Sequence, residues 1–176
     1  MQGRARLELL SRAGWTPQTP NLLRAVAHHP QLLEPFLGFA AALARGALPR
    51  RASELLALRA AWNCRSEFEW GHHAHYARAA GLSDIEIAGV AAGPGAAGWS
   101  EEDRDLLRAA DELHARQKIT DATWAALASR WSAAQLVEIP FVVGQYTMLS
   151  MVAGAIAVPL EEGFPRLPGG ARAEVS

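Results

Sequence analysis

The stretch P-R-R-A-S-E-L-L-A-L-R-A-A-W-N-C-R-S-E-F-E-W-G-H-H-A-H-Y-A-R-A-A-G, residues 49–81, reads as two helices with a pause between them. Pro49 suits a helix start, where the N–H it lacks would find no intrahelical carbonyl. Apolar residues then continue to Asn63 with none of the alternation a strand would show. The chain pauses around residues 64–66, resumes helically to Ala80 and stops at Gly81, a residue that tolerates the left-handed backbone of a helix end.

The same signals recur on both sides. Thr19-Pro20 opens N-L-L-R-A-V-A-H-H, and Pro30 opens a segment whose apolar positions fall at helical spacing, with Gly46 as its stop. Ser83-Asp84-Ile85-Glu86 and Ser100-Glu101-Glu102-Asp103 carry the capping-box pattern or its aspartate variant. Thr120 or Asp121 caps the next helix, and Ser132 with Gln135 caps A-A-Q-L-V-E-I. Strand alternation bounded by hairpin turns is missing, so the sequence predicts an all-α, single-domain bundle over residues 1–176. Its core spans about 20–160, and residues 161–176 read as a surface tail.

Composition narrows the function. Half the 176 residues are hydrophobic and 20% are charged, as in a globular chain with a real core. Seventeen Lys and Arg against eighteen Asp and Glu leave a net charge of −1, which offers no basic footprint for nucleic acid or an anionic membrane. The lone Cys64 forms no internal disulfide and no C-x-x-C pair. The start, M-Q-G-R-A-R-L-E-L-L-S-R, lacks a secretory pattern, and a cytoplasmic location is expected.

Residues 139–160, I-P-F-V-V-G-Q-Y-T-M-L-S-M-V-A-G-A-I-A-V-P-L, carry no charge and are long enough to cross a bilayer, for which roughly 20 apolar residues suffice. Pro140 and Pro159 are expected to trim the helix between them, and Gln145, Tyr146, Thr147 and Ser150 interrupt its apolarity. Gly144, Gly154 and the nearby alanines suit close helix–helix approach. The segment therefore reads as a buried or subunit-interface helix, not as a membrane span.

Within the second helix of the opening stretch, Ser66, Glu69 and His73 follow at spacings of three and four, so they share one face. Glu69 precedes His73 by one turn, the order in which a carboxylate orients an imidazole. Trp62 and Trp70 are expected as apolar walls of a substrate site, and Ser66 as a hydrogen-bonding group for substrate. Such a pair on an exposed face would only stabilise the helix by a few tenths of a kcal/mol, and periodicity alone does not separate the two readings. A metal centre built from Glu69 and His73 would need help from His28, His29 or His114, and no metal is expected.

In order and spacing, L-P-R-R-A-S-E-L-L-A-L-R-A-A-W-N-C-R-S-E-F-E-W-G-H-H-A-H-Y-A-R-A-A-G-L-S-D-I-E-I resembles the carboxymuconolactone decarboxylase and alkyl hydroperoxidase D-like superfamily. The likeness runs from about Asn21 to Leu160. It implies a helical bundle of that type, with Glu54 at the family's glutamate and His73 at its histidine. Ser66 and Glu69 stand where the peroxidase branch has its two cysteines, and Cys64 lies two residues too early to replace the first. Peroxide reduction by two thiols needs one thiolate to attack and another to resolve, and serine and glutamate do neither.

The resemblance therefore implies acid–base chemistry: a cofactor-independent, decarboxylase-like lyase or an isomerase acting on a small organic acid, lactone or enol. His73, Glu69 and Glu54 would be the catalytic groups. Glu54 reaches the pair if its helix packs antiparallel to theirs or bends at Asn63. Arg51 or Arg59 would pair with a substrate carboxylate. The alternative is a non-catalytic, oligomeric binding protein with a lapsed site. Expected partners are a small-molecule substrate and further copies of the chain, as a trimer or hexamer, with no nucleic acid, no membrane and no cofactor.

Overall fold

In the computed structural model, which describes residues 5–169, the pause at residues 64–66 is a tight reversal. Eight helices occupy the described residues: α1 (Asn21–Val26), α2 (Pro30–Ala44), α3 (Arg50–Asn63), α4 (Glu67–Ala79), α5 (Asp84–Ala92), α6 (Glu101–Arg116), α7 (Asp121–Ala128) and α8 (Ala133–Ile156). No strand occurs among the described residues. At the reversal Arg65 takes a left-handed φ of 53°, while the Arg65 and Ser66 N–H groups donate to the Trp62 and Ala61 carbonyls at 3.0 and 2.9 Å. The Arg65 guanidinium lies over the Trp62 ring at 4.6 Å. Ser66 then caps α4 by accepting from the Glu69 N–H at 3.3 Å, so α3 and α4 fold back as an antiparallel pair.

Helix α3 is the hub. Leu56 and Ala60 pack with Leu106, Ile139 and Val142 of α6 and α8. Leu55, Leu58 and Ala61 pack on another side with Trp70, Ala74 and Val90 of α4 and α5. A leucine buried this fully contributes about 1.5–3 kcal/mol. The polar residues of α3 point to particular partners. Arg51 donates to Glu86 at 2.6 Å and Asp103 at 2.9 Å, tying α3 to the starts of α5 and α6. Arg59 donates to Asp111 at 2.6 Å and to the Val90 carbonyl at 2.7 Å. Both guanidiniums are committed to the scaffold, which corrects their expected role with substrate.

Two further expectations are corrected. Pro140 does not end a helix: α8 runs unbroken through it, and the proline sits on the exposed side, where the Leu136 carbonyl it leaves unmatched can turn toward water. The tail also begins later than residue 161. Glu161 accepts from the Asn21 N–H at 2.6 Å, Phe164 and Leu167 pack against the cores, and Arg166 pairs with Glu67 at 2.9 Å. Gly71 admits this strap, because a Cβ there would stand 2.7 Å from the Leu160 methyls and 3.0 Å from the Pro165 carbonyl. Residues 170–176 of the expected tail lie outside the described residues.

Candidate active site

Because α3 and α4 run antiparallel, Glu54 meets His73 across the pair. Both side chains are buried, at 1% and 4% exposure. His73 Nδ1–H donates to Glu54 Oε2 at 2.6 Å, and the other carboxylate oxygen receives Arg50 at 2.7 Å, one helical turn back. With Nδ1 so engaged, the neutral ring leaves its lone pair at Nε2. Glu69 Oε2 lies 3.7 Å from that nitrogen, too far for a hydrogen bond. The Tyr146 ring of α8 stands edge-on to the imidazole at 4.0 Å.

The carboxyl of Glu69 is only 3% exposed, and its Oε1 has no hydrogen-bond partner. Burial raises its pKa above the usual carboxylate value. The imidazoles of His73 and His72 pull it back in part, and the charge of Glu161 adds to the rise. The phenols of Tyr146 and Tyr76 are likewise pushed up, first by burial and then by the nearby glutamates. A carboxyl whose burial favours its protonated form thus sits beside an imidazole held through Nδ1, in apolar surroundings, the arrangement that separates acid and base roles.

A cavity of about 260 Å³ opens onto this pair. Glu69, His72 and His73 reach it from α4, Gln145 and Tyr146 from α8, and Arg50 from α3. Phe36, Phe68 and Leu149 form apolar wall. His72 carries a second carboxylate: its Nε2 lies 2.7 Å from Glu161 Oε2, and its ring is stacked between Phe68 and Phe164 at 4.6 and 4.4 Å. Burial works to raise the Glu161 carboxyl, but the hydrogen bonds from His72 and the Asn21 N–H outweigh it and hold the pKa below the usual range.

Glu54, Glu69 and His73 are therefore brought together. Ser66 is not with them: its hydroxyl caps α4, and the residue lines a separate cleft with Cys64. Trp70, one position round the helix from Glu69, faces the core with α3 and α5, where Trp62 meets it edge-on at 5.9 Å. Neither tryptophan lines the cavity, whose aromatic walls are phenylalanine and tyrosine. His28 binds the Glu8 carbonyl at 2.9 Å and His114 lies 3.9 Å from Cys64, both away from the cavity. Among the described residues, no group of three or more His, Cys, Asp or Glu is placed to hold a metal ion.

Residues 30–112 match the Carboxymuconolactone decarboxylase family. No curated protein is significantly similar to the chain. Among solved structures, an uncharacterized peroxidase-related protein from Silicibacter sp. TM1040 superposes with a TM-score of 0.77 at 19% identity, covering 90% of this chain and 92% of that one. A protein of unknown function from Agrobacterium tumefaciens gives 0.72 at 19%, covering 77% and 94%. A cysteine-to-alanine variant of the debrominase Bmp8, in complex with 2,3,4-tribromopyrrole, gives 0.73 at 16%, covering 81% and 78%. At these identities the likeness is one of fold.

Proposed function

We propose, from the match of residues 30–112 to the Carboxymuconolactone decarboxylase family and from the geometry of the site, that the α3–α4 pair moves protons on a small organic acid, lactone or enol. The reaction is a decarboxylase-like lyase step or an isomerisation. The observation that carries this reading is the buried Glu54–His73–Glu69 set, whose His73 and Glu69 line the cavity. His73 Nε2 takes a proton from carbon or hydroxyl, while Glu54 holds the ring and stabilises the imidazolium that forms. Glu69 gives its proton to the oxygen or carbon where the electron pair arrives. Burial favours both steps, since charge that develops away from water interacts more strongly with fixed neighbours.

Thiol peroxidase chemistry is not supported. Cys64 ends α3 beside His114 and is absent from the cavity wall, and by the family resemblance Ser66 and Glu69 take the places of the attacking and resolving thiols. The test is turnover of a panel of lactones and enolisable keto acids by wild type, His73→Gln and Glu69→Gln. Loss of about 10²–10⁴-fold in each variant is expected for a general acid or base. Full activity in both would remove the assignment.

The chain is also proposed to assemble with its own copies, as a trimer or hexamer. On α8, Val137, Phe141, Gly144, Met148 and Met151 follow at spacings of four and three and are all exposed. That uncharged seam, extended by Phe39 of α2 at 6.0 Å from Phe141, suits helix-on-helix packing with another copy.

A further inference from the structure

Three buried side-chain polar atoms among the described residues lack a hydrogen-bond partner: Glu69 Oε1, Gln145 Oε1 and Trp131 Nε1. Two of the three belong to residues lining the one cavity described above, on helices that face each other across it. Buried acceptors are rarely left unmatched, because the desolvation cost stands uncompensated. Gln145 is 6% exposed, so an orphan there is not excused by bulk water. Of its polar atoms, the carbonyl oxygen is the one enclosed without a partner.

The uncharged run of α8 makes the residue harder to explain as scaffold. Gln145 lies between Gly144 and Tyr146 on a helix whose buried neighbours Val142, Val143 and Leu149 are aliphatic, while the buried Ser150 hydroxyl is satisfied by the Tyr146 carbonyl at 2.6 Å. A glutamine on that buried face lowers stability unless something meets its oxygen. No protein donor does.

We propose that the ligand of this cavity carries a hydrogen-bond donor, a hydroxyl, an enol or an N–H, which binds Gln145 Oε1 beside Glu69, and that Gln145 selects such molecules over analogues of the same shape without one. A volume of about 260 Å³, room for about nine waters at ~30 Å³ each, restricts the ligand to a small ring or short chain. This rests on the acid–base reading only in taking the cavity as the substrate site.

Phenol and its methyl ether anisole are a matched pair of probes, with and without the donor. Ligand-observed NMR titration of the full chain is expected to give phenol at least ~10-fold tighter binding than anisole. In Gln145→Met, of similar length but without the carbonyl, the preference falls to about onefold. The titration reads binding and no turnover, so this idea and the acid–base reading fail separately. Equal binding of the pair to wild type, no binding of either, or a preference that survives in Gln145→Met with native circular dichroism would each overturn the assignment. The wild-type comparison decides even if the variant does not fold.

Discussion

Replacing Glu69 with glutamine should make the protein more stable and less active at once, and the gain should depend on pH. The carboxyl is almost fully enclosed, one oxygen has no partner, and the other lies 3.7 Å from His73 Nε2. An unmatched buried group costs about 1–3 kcal/mol, and more when charged; glutamine keeps an acceptor at this position but removes the charge. The two imidazoles recover part of that, so a net gain of about 1 kcal/mol is expected for Glu69→Gln near neutral pH. That is about 2–4 °C in Tm for a domain of this length. The sign with pH follows from the raised folded pKa. Below the unfolded glutamate pKa both states hold the proton, and the acid costs little. As pH rises, the unfolded chain releases its proton first, so wild-type stability falls until the folded carboxyl also ionises. Urea denaturation of both proteins from pH 4 to pH 8 should therefore show the gap opening as pH rises, alongside a loss of turnover. A gap that is flat with pH, or a variant less stable than wild type at pH 8, would refute the reasoning.

Other expectations test the frame around the site. Gly71→Ala pushes a methyl against Leu160 and the Pro165 carbonyl and should cost about 1–3 kcal/mol, with faster hydrogen exchange in residues 157–168 as the marker. Glu161→Gln weakens the bonds to His72 and Asn21 and should cost about 1–2 kcal/mol. Because the folded Glu161 pKa is lowered, that cost is present above the unfolded pKa and disappears as pH falls through the folded one, which chemical denaturation at pH 7 and pH 3 would show. Phe141→Glu places a charge on the exposed seam of α8 and should shift the chain toward monomer in light scattering.

Much of this architecture was legible because helix ends are written locally. Ser83 with Glu86 and Ser132 with Gln135 form complete capping boxes, and Ser100 and Thr120 cap α6 and α7. Each depends on residues three apart, which a single sequence exposes. Pro140 misleads because the cost of a proline inside a helix depends on whether the freed carbonyl faces water, a tertiary fact. In the site, Glu69 and His73 are readable from their one-turn spacing, and Glu54 only through the family likeness. Arg50, one turn before Glu54, carries a local signal of its own. Glu161 carries none: it joins His72 across 89 positions through a strap with no periodic pattern. Ser66 shows the opposite hazard, since a hydroxyl sharing a face with an acid and a histidine is also what a helix start requires. Trp70 makes a similar point, because a step of one residue turns it from the cavity wall into the core.

The central claim is that His73 and Glu69 are held in opposite roles, a ring with its lone pair at Nε2 beside a carboxyl that keeps its proton longer than free glutamate. Isotope-edited NMR of the wild-type chain, reading the two His73 ring nitrogens and the Glu69 carboxyl carbon through a pH titration, addresses it directly. The expected result is a hydrogen on His73 Nδ1, none on neutral Nε2, and a Glu69 midpoint above that of an exposed glutamate. A hydrogen on Nε2 of the neutral ring, or a Glu69 midpoint at or below the ordinary value, would contradict it.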